Sequence, residues 1–176
     1  RAVSVHEAYP GHYVHYLHTK NAKSKIGTIF GAYSFWEGWA HYTEQMMIEE
    51  GYGSDEPRNV LGQLMEALLR DCRFICAIRM HTQGMSRDEA MQFFMENAYM
   101  EELPAQKEAA RGTFDPMYLN YTLGKLMILK LREDYRAEKG DSFSLKQFHD
   151  TFLSFGAPPI PLVREMMLRD AGEEAL

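Results

Sequence analysis

Near the start of the chain stands His6-Glu7-Ala8-Tyr9-Pro10-Gly11-His12, and 25 residues beyond His12 comes Glu37, within Phe35-Trp36-Glu37-Gly38-Trp39-Ala40-His41. Two imidazoles with a carboxylate beside the first, followed one helix later by another glutamate, make up the ligand inventory of a catalytic zinc site. Such a site takes three protein ligands and leaves the fourth position to water, whose proton a nearby carboxylate removes. The chemistry this inventory points to is metal-dependent hydrolysis.

The spacing decides whether the inventory can work. In the familiar H-E-x-x-H, histidines at i and i+4 share one helical face. Here the second histidine is at i+6, which on a regular helix lies about 120° away from the first. Pro10 and Gly11 sit where a correction is needed. Proline removes an intrahelical donor and clashes with the preceding turn, and glycine opens backbone angles closed to other residues. The motif requires a bulge or kink there that returns His12 to the face of His6.

Each part also has an ordinary reading. His12, His15 and His18 recur every third residue on a Tyr-rich segment, as packed or solvated helix residues do. A first-turn glutamate such as Glu37 suits a helix dipole without any ion. The second block shifts the balance, because Ser34 is a fair N-cap for a helix over 34–50 and Glu37 is flanked by Trp36 and Trp39. A carboxylate so placed is partly desolvated and needs a cation.

Taken in order, HEAYPGH, FWEGWAHYTE, Tyr121-Thr122-Leu123-Gly124-Lys125, Phe148-His149-Asp150 and Gly156-Ala157-Pro158-Pro159 resemble the bacterial domain-of-unknown-function 885 family through nearly the whole chain. That family looks like a branch of the helical gluzincin-type zinc metallopeptidases. The resemblance implies His6 and His12 as zinc ligands, Glu37 as the third ligand and Glu7 as general base, with a peptide or small amide as substrate. Family members have this region at the carboxyl end of a longer protein, so the chain is expected to be a catalytic half without its amino-terminal half. Such a domain could form a homodimer through surface that the other half covers.

Hydrolysis also needs a donor for the oxyanion of the tetrahedral intermediate. By resemblance Tyr121 is the candidate, and Gly124 nearby gives room for substrate or for close helix approach. Arg111, at a helix-to-loop junction, could reach a substrate carboxylate or the oxyanion. Tyr121 could equally be an interhelical core residue and Arg111 a cation favouring a helix C-terminus. His81 matches a histidine of the family, but Ala77 stands where those sequences tend to carry an aspartate, which weakens a role for His81. His41 and His149 are expected at the surface or at helix ends.

The elements that must position these groups read as helices almost throughout. They are expected over 2–20 with a kink at Pro10, then 34–50, 57–82, 86–100, 103–111, 115–138, 144–155 and 160–171. Ser86 with Glu89 has the signature of a capping box, Ser144 suits a cap, and Gly51, Gly84, Gly140 and Gly156 are natural stops. The expected fold is a single all-α domain of about seven to eight helices.

Its 176 residues suit one compact domain, and 45% hydrophobic residues exclude disorder, yet no apolar stretch approaches the length that crosses a bilayer. A net charge of −6 without a basic run interleaved with aromatics argues against nucleic acid. Glu49-Glu50 and Glu173-Glu174 read as solvated faces. Cys72 and Cys76, four apart in one apolar helix, read as buried thiols, so they leave the compartment open between cytoplasm and an exported lipoprotein.

Two other classes fit parts of the chain. Two histidines and a carboxylate also form the facial triad of non-haem iron, and helical bundles house di-iron sites. Those bundles expect Glu-x-x-His pairs, whereas Glu7 is followed at that distance by Pro10 and Glu37 by Ala40. A metal-free helical interaction domain would keep the histidines for packing. A covalent nucleophile finds no support, since neither cysteine has a convincing base partner and there is no G-x-S-x-G turn.

Overall fold

Runs rich in Leu, Met, Ala, Glu and Lys, punctuated by Gly and Pro, set the helix boundaries. In the computed structural model, which describes residues 1–169, they form α1 (Ala2–Glu7), α2 (His12–Thr19), α3 (Lys25–Ile29), α4 (Tyr33–Glu49), α5 (Pro57–Thr82), α6 (Arg87–Asn97), α7 (Glu102–Gly112), α8 (Asn120–Lys139), α9 (Leu145–Leu153) and α10 (Ile160–Met167). No strand occurs among the described residues. The helix end expected at 171 and the Glu173-Glu174 face lie outside them.

Several boundaries carry the expected signals. Ser86 and Glu89 close a reciprocal capping box, Ser144 accepts from the Gln147 amide, and Gly51, Gly84, Gly140 and Gly156 take positive φ at or just past helix ends. Elsewhere the structure corrects the expectation. The single kinked helix over 2–20 is two helices, α1 and α2, separated by residues 8–11. Ser34 does not cap α4: the N-cap is Ala32, and Ser34 lies inside the first turn. The helix expected from 115 opens with a 3-10 turn over Pro116–Leu119 before α8 begins. Helix α3 is additional, started by the Ser24 hydroxyl accepting from the Ile26 amide.

Helices α4 and α8 form the central pair and cross where Gly38 meets Gly124. A Cβ on Gly124 would lie 1.9 Å from the Ser34 carbonyl oxygen and 2.8 Å from Gly38 Cα, so this glycine serves close helix approach. On one side, α9 and α10 close a core around Phe35, Trp39, Ile128, Leu131 and Phe152. On the other, α5, α6, α7 and the 3-10 turn enclose Cys76, Phe94, Ala105, Tyr118 and Tyr121. Cys72 and Cys76 are buried free thiols, and burial pushes them up to about 11 and about 12. Helix α1 packs against both α4 and α5, at the seam between the two cores.

Two outcomes follow from this packing. Gly124→Ala sets a methyl group against backbone that cannot move aside, and should cost about 1–3 kcal/mol. A urea midpoint equal to that of the wild type would mean that the two helices do not touch there. His15, His41 and His149 are each kept neutral by burial, with pKa lowered to about 4 from 6.5. The unfolded chain therefore binds more protons between about pH 6.5 and 4.5, and stability must fall as pH falls through that window, by at most ~1.4 kcal/mol per pH unit for each ring. Thermal melts between pH 7 and 4.5 check this, and a flat profile would show that the rings titrate freely.

Candidate metal centre

The last turn of α1 carries His6 and Glu7, and the chain turns through residues 8–11 before α2 begins at His12. Three contacts fix that turn. The Gly11 amide donates to the Val5 carbonyl at 3.0 Å, and Trp39 Nε1 donates to the Pro10 carbonyl at 2.9 Å. Gly11 also packs so closely on α1 that a Cβ would lie 1.8 Å from the His6 carbonyl oxygen, a place only glycine can occupy. The result brings His12 back beside His6, with ring centroids 4.8 Å apart and the planes nearly perpendicular.

Glu37, from the first turns of α4, reaches both rings. Its Oε2 lies 3.3 Å from His6 Nε2 and 3.2 Å from His12 Nε2, and the three candidate ligand atoms fall within 4.8 Å of one another. Neither contact is aligned as a hydrogen bond, which leaves Glu37 Oε2 buried without a donor. An oxygen in that state costs ~1–3 kcal/mol. Tetrahedral zinc, held at about 2.0–2.1 Å from nitrogen and oxygen, spaces its ligands roughly 3.3 Å apart, so the residues present fit such an ion. Burial opposes the charge on Glu37, but His12 and His6 outweigh it and hold the carboxyl at about 2.

Glu37, His41 and Glu44 fall at i, i+4 and i+7 on α4, one face of the helix. Glu44 Oε1 accepts from His6 Nδ1 at 2.7 Å, and Arg70 of α5 lies 3.1 Å from the same oxygen while also holding Glu66 at 2.7 Å. In the neutral ring this bond places the proton on Nδ1 and leaves the Nε2 lone pair facing Glu37. Burial opposes the Glu44 charge too, yet His41, His6 and Arg70 hold its carboxyl at about 2. His41, expected at the surface, is fully buried, with Nδ1 3.4 Å from Glu44 Oε2. His149 is half-buried and caps no helix: it packs edge-on against Trp39 and its Nε2 lies 2.8 Å from the Tyr42 hydroxyl.

Tyr121 stacks near His6, with ring centroids 6.1 Å apart, and its hydroxyl is 3.5 Å from that of Tyr33. Burial and the Tyr121 hydroxyl raise the Tyr33 pKa well above the usual phenol range, so Tyr33 stays protonated. Glu7 is exposed, with no hydrogen bond or ion pair from its side chain among the described residues. Arg111 is committed to Asp115 at 2.8 Å and lies over the Tyr118 ring. His81 Nε2 donates to the Gly112 carbonyl at 2.8 Å, tying the end of α5 to that of α7, and Ala77 is buried core. Glu44, Arg70 and Tyr33 are the site residues that the sequence reading missed. Glu44 was findable, since it repeats the Glu37 face two turns on; Arg70 and Tyr33 carried no local signal.

Two cavities differ in their relation to the three clustered residues. One of about 610 Å³ is apolar, lies between α3 and α10, and contains none of the three residues. The other, about 530 Å³, is bordered by His12 and Trp36.

The fold and site together define an all-helical protein with a clustered His-His-Glu set of the metal-ligating kind. The chain belongs to the family described as bacterial protein of unknown function, DUF885, whose model matches residues 1–167. It is similar to the solved structure of a candidate lipoprotein of unknown function from Shewanella oneidensis, at 36% identity and a TM-score of 0.90 over 96% of this chain. A candidate lipoprotein from Colwellia psychrerythraea matches at 32% identity and a TM-score of 0.87 over 92% of this chain. The chain spans 31% and 28% of those two proteins. No curated protein matches it.

Glu44→Gln keeps the shape and an acceptor for His6 but removes the charge that orients and enriches the imidazole. It should weaken metal affinity by roughly 10-fold or more in competition with a chromogenic chelator. Unchanged affinity would remove Glu44 from any part in the centre.

Proposed function

We propose that this chain is a zinc-dependent hydrolase of the gluzincin kind, a metallopeptidase in which His6, His12 and Glu37 hold the ion. The observation that carries the reading is the buried Glu37 Oε2, at 3.2 and 3.3 Å from two imidazole nitrogens and without a hydrogen-bond donor. A zinc ion bound there supplies Lewis acidity and lowers the pKa of water.

The chain's own residues account for the remaining needs. Glu7 follows a ligand directly and is uncommitted, so its carboxylate is free to take a proton from the attacking water and hand it to the leaving amine. Glu44 keeps the His6 lone pair aimed at the site. Tyr121 beside His6 offers an O–H donor to the oxyanion, and the protonated Tyr33 next to it can support that hydroxyl. Arg111 would first have to release Asp115, which makes it the lesser candidate for the same task. A place as part of a longer polypeptide accords with the 31% and 28% spans of the solved relatives, and the family resemblance would make that part the carboxyl-terminal one.

Protein purified without chelator should carry about one zinc per chain. Glu7→Gln should retain that metal while peptide hydrolysis drops by roughly 10²–10⁴-fold, the usual worth of a general base. His12→Ala should lose the metal and, with it, the thermal stabilisation that zinc gives the wild type. Iron in place of zinc, or a Glu7→Gln protein that still cleaves peptides, overturns the reading.

A further inference from the structure

Helix α2 runs away from His12 and presents His12, Tyr16 and Lys20 at i, i+4 and i+8, a strip along one face. Trp36, the residue before Glu37, stands across from it, and together they border the cavity of about 530 Å³. One end of this cavity is therefore a candidate metal ligand and the other an ammonium group. Lys20 folds back toward the start of its helix, as helical side chains lean, with Nζ 4.5 Å from the centre of the Tyr16 ring.

That ring contact does not neutralise the charge. No carboxylate borders the cavity, and Lys20 makes no ion pair among the described residues, in a chain whose net charge is −6. Three of the other polar side chains there are already occupied. Thr19 donates its hydroxyl proton to the His15 carbonyl, Thr28 donates to the Lys25 carbonyl, and His15 Nε2 bonds the Gly156 carbonyl. What is left to meet a ligand is one cation lying over the Tyr16 ring, the Trp36 face, and two polar atoms without a hydrogen bond among the described residues, the Tyr16 hydroxyl and Trp36 Nε1.

We infer that this cavity receives the free carboxylate end of the substrate, so that the enzyme acts on peptides close to their C-terminus. The inference rests on the hydrolase reading above and names its substrate class. From His12 to the turn of Tyr16 is about 6 Å along the helix axis. One or two extended residues cover such a distance at ~3.3–3.6 Å each. An apolar or aromatic C-terminal residue would lie against Trp36 and Tyr16 while its α-carboxylate meets Lys20.

Trp36 is 39% exposed whereas Trp39 is buried, so tryptophan emission reports on this cavity. The intact protein is titrated with N-acetylphenylalanine, with its amide, and with N-acetylglutamic α-amide, which carries only a side-chain carboxylate. The free acid should bind roughly fivefold more tightly than the amide at low salt. That preference should shrink as ionic strength rises and vanish in Lys20→Gln, an exposed position at the end of α2. Equal binding of acid and amide, no binding of either, stronger binding of the glutamic probe, or a preference that survives Lys20→Gln overturns the inference. Peptide hydrolysis is read separately on free-acid and amidated versions of one sequence. Hydrolysis indifferent to the C-terminal group defeats the subsite alone, whereas acid-selective binding with no hydrolysis of either peptide defeats the hydrolase reading and leaves a carboxylate site.

Discussion

The hydrogen bond from Trp39 Nε1 to the Pro10 carbonyl, together with the contact of Gly11 on the His6 backbone, is the constraint on which the rest of the site depends. Without it, residues 6 and 12 would follow regular helical geometry and face different directions. Trp39 lies only two residues from Glu37, so one stretch of α4 supplies both the third candidate ligand and the clamp on the first two. Any motion of α4 carries these parts together, which preserves their spacing.

The position of α4 is in turn set by packing on both flanks. Its glycine lets α8 approach until backbone meets backbone, and the cores on either side fill the remaining space with large aromatic and aliphatic groups. Close-packed interiors of this kind resist small displacements. The buried Glu44 adds a further restraint, because an ionised carboxylate removed from water must keep its partners, here His6 and Arg70. Losing both contacts would strand a charge in the interior. Stability and site geometry thus draw on the same few residues at the seam of the two cores.

Electrostatics divide the histidines into two groups. His15, His41 and His149 are neutral because burial outweighs whatever nearby favours a proton, including Glu44 beside His41. His6 differs: burial works against its charge, but Glu37 on one nitrogen and Glu44 on the other outweigh that and raise its pKa. Carboxylates on both sides of one ring are what a cation replaces when it displaces a proton from Nε2.

The sequence by itself determined the helical class, most helix boundaries and the identity of the clustered residues, because these are local properties. Periodicity, capping serines and stop glycines act within a few residues, and a proline-glycine pair inside a His-Glu motif announces a break wherever it occurs. Gly124 was legible only as an ambiguity between room for substrate and close approach, and the crossing with Gly38 resolved it. The convergence of His6, His12 and Glu37, the burial of His41, and the union of Glu44 with Arg70 were decided by tertiary structure alone. Glu37 meets His6 and Arg70 meets Glu44 across tens of residues, and such partners are chosen by how helices pack and which charges cannot be left unpaired, a choice that no local pattern encodes.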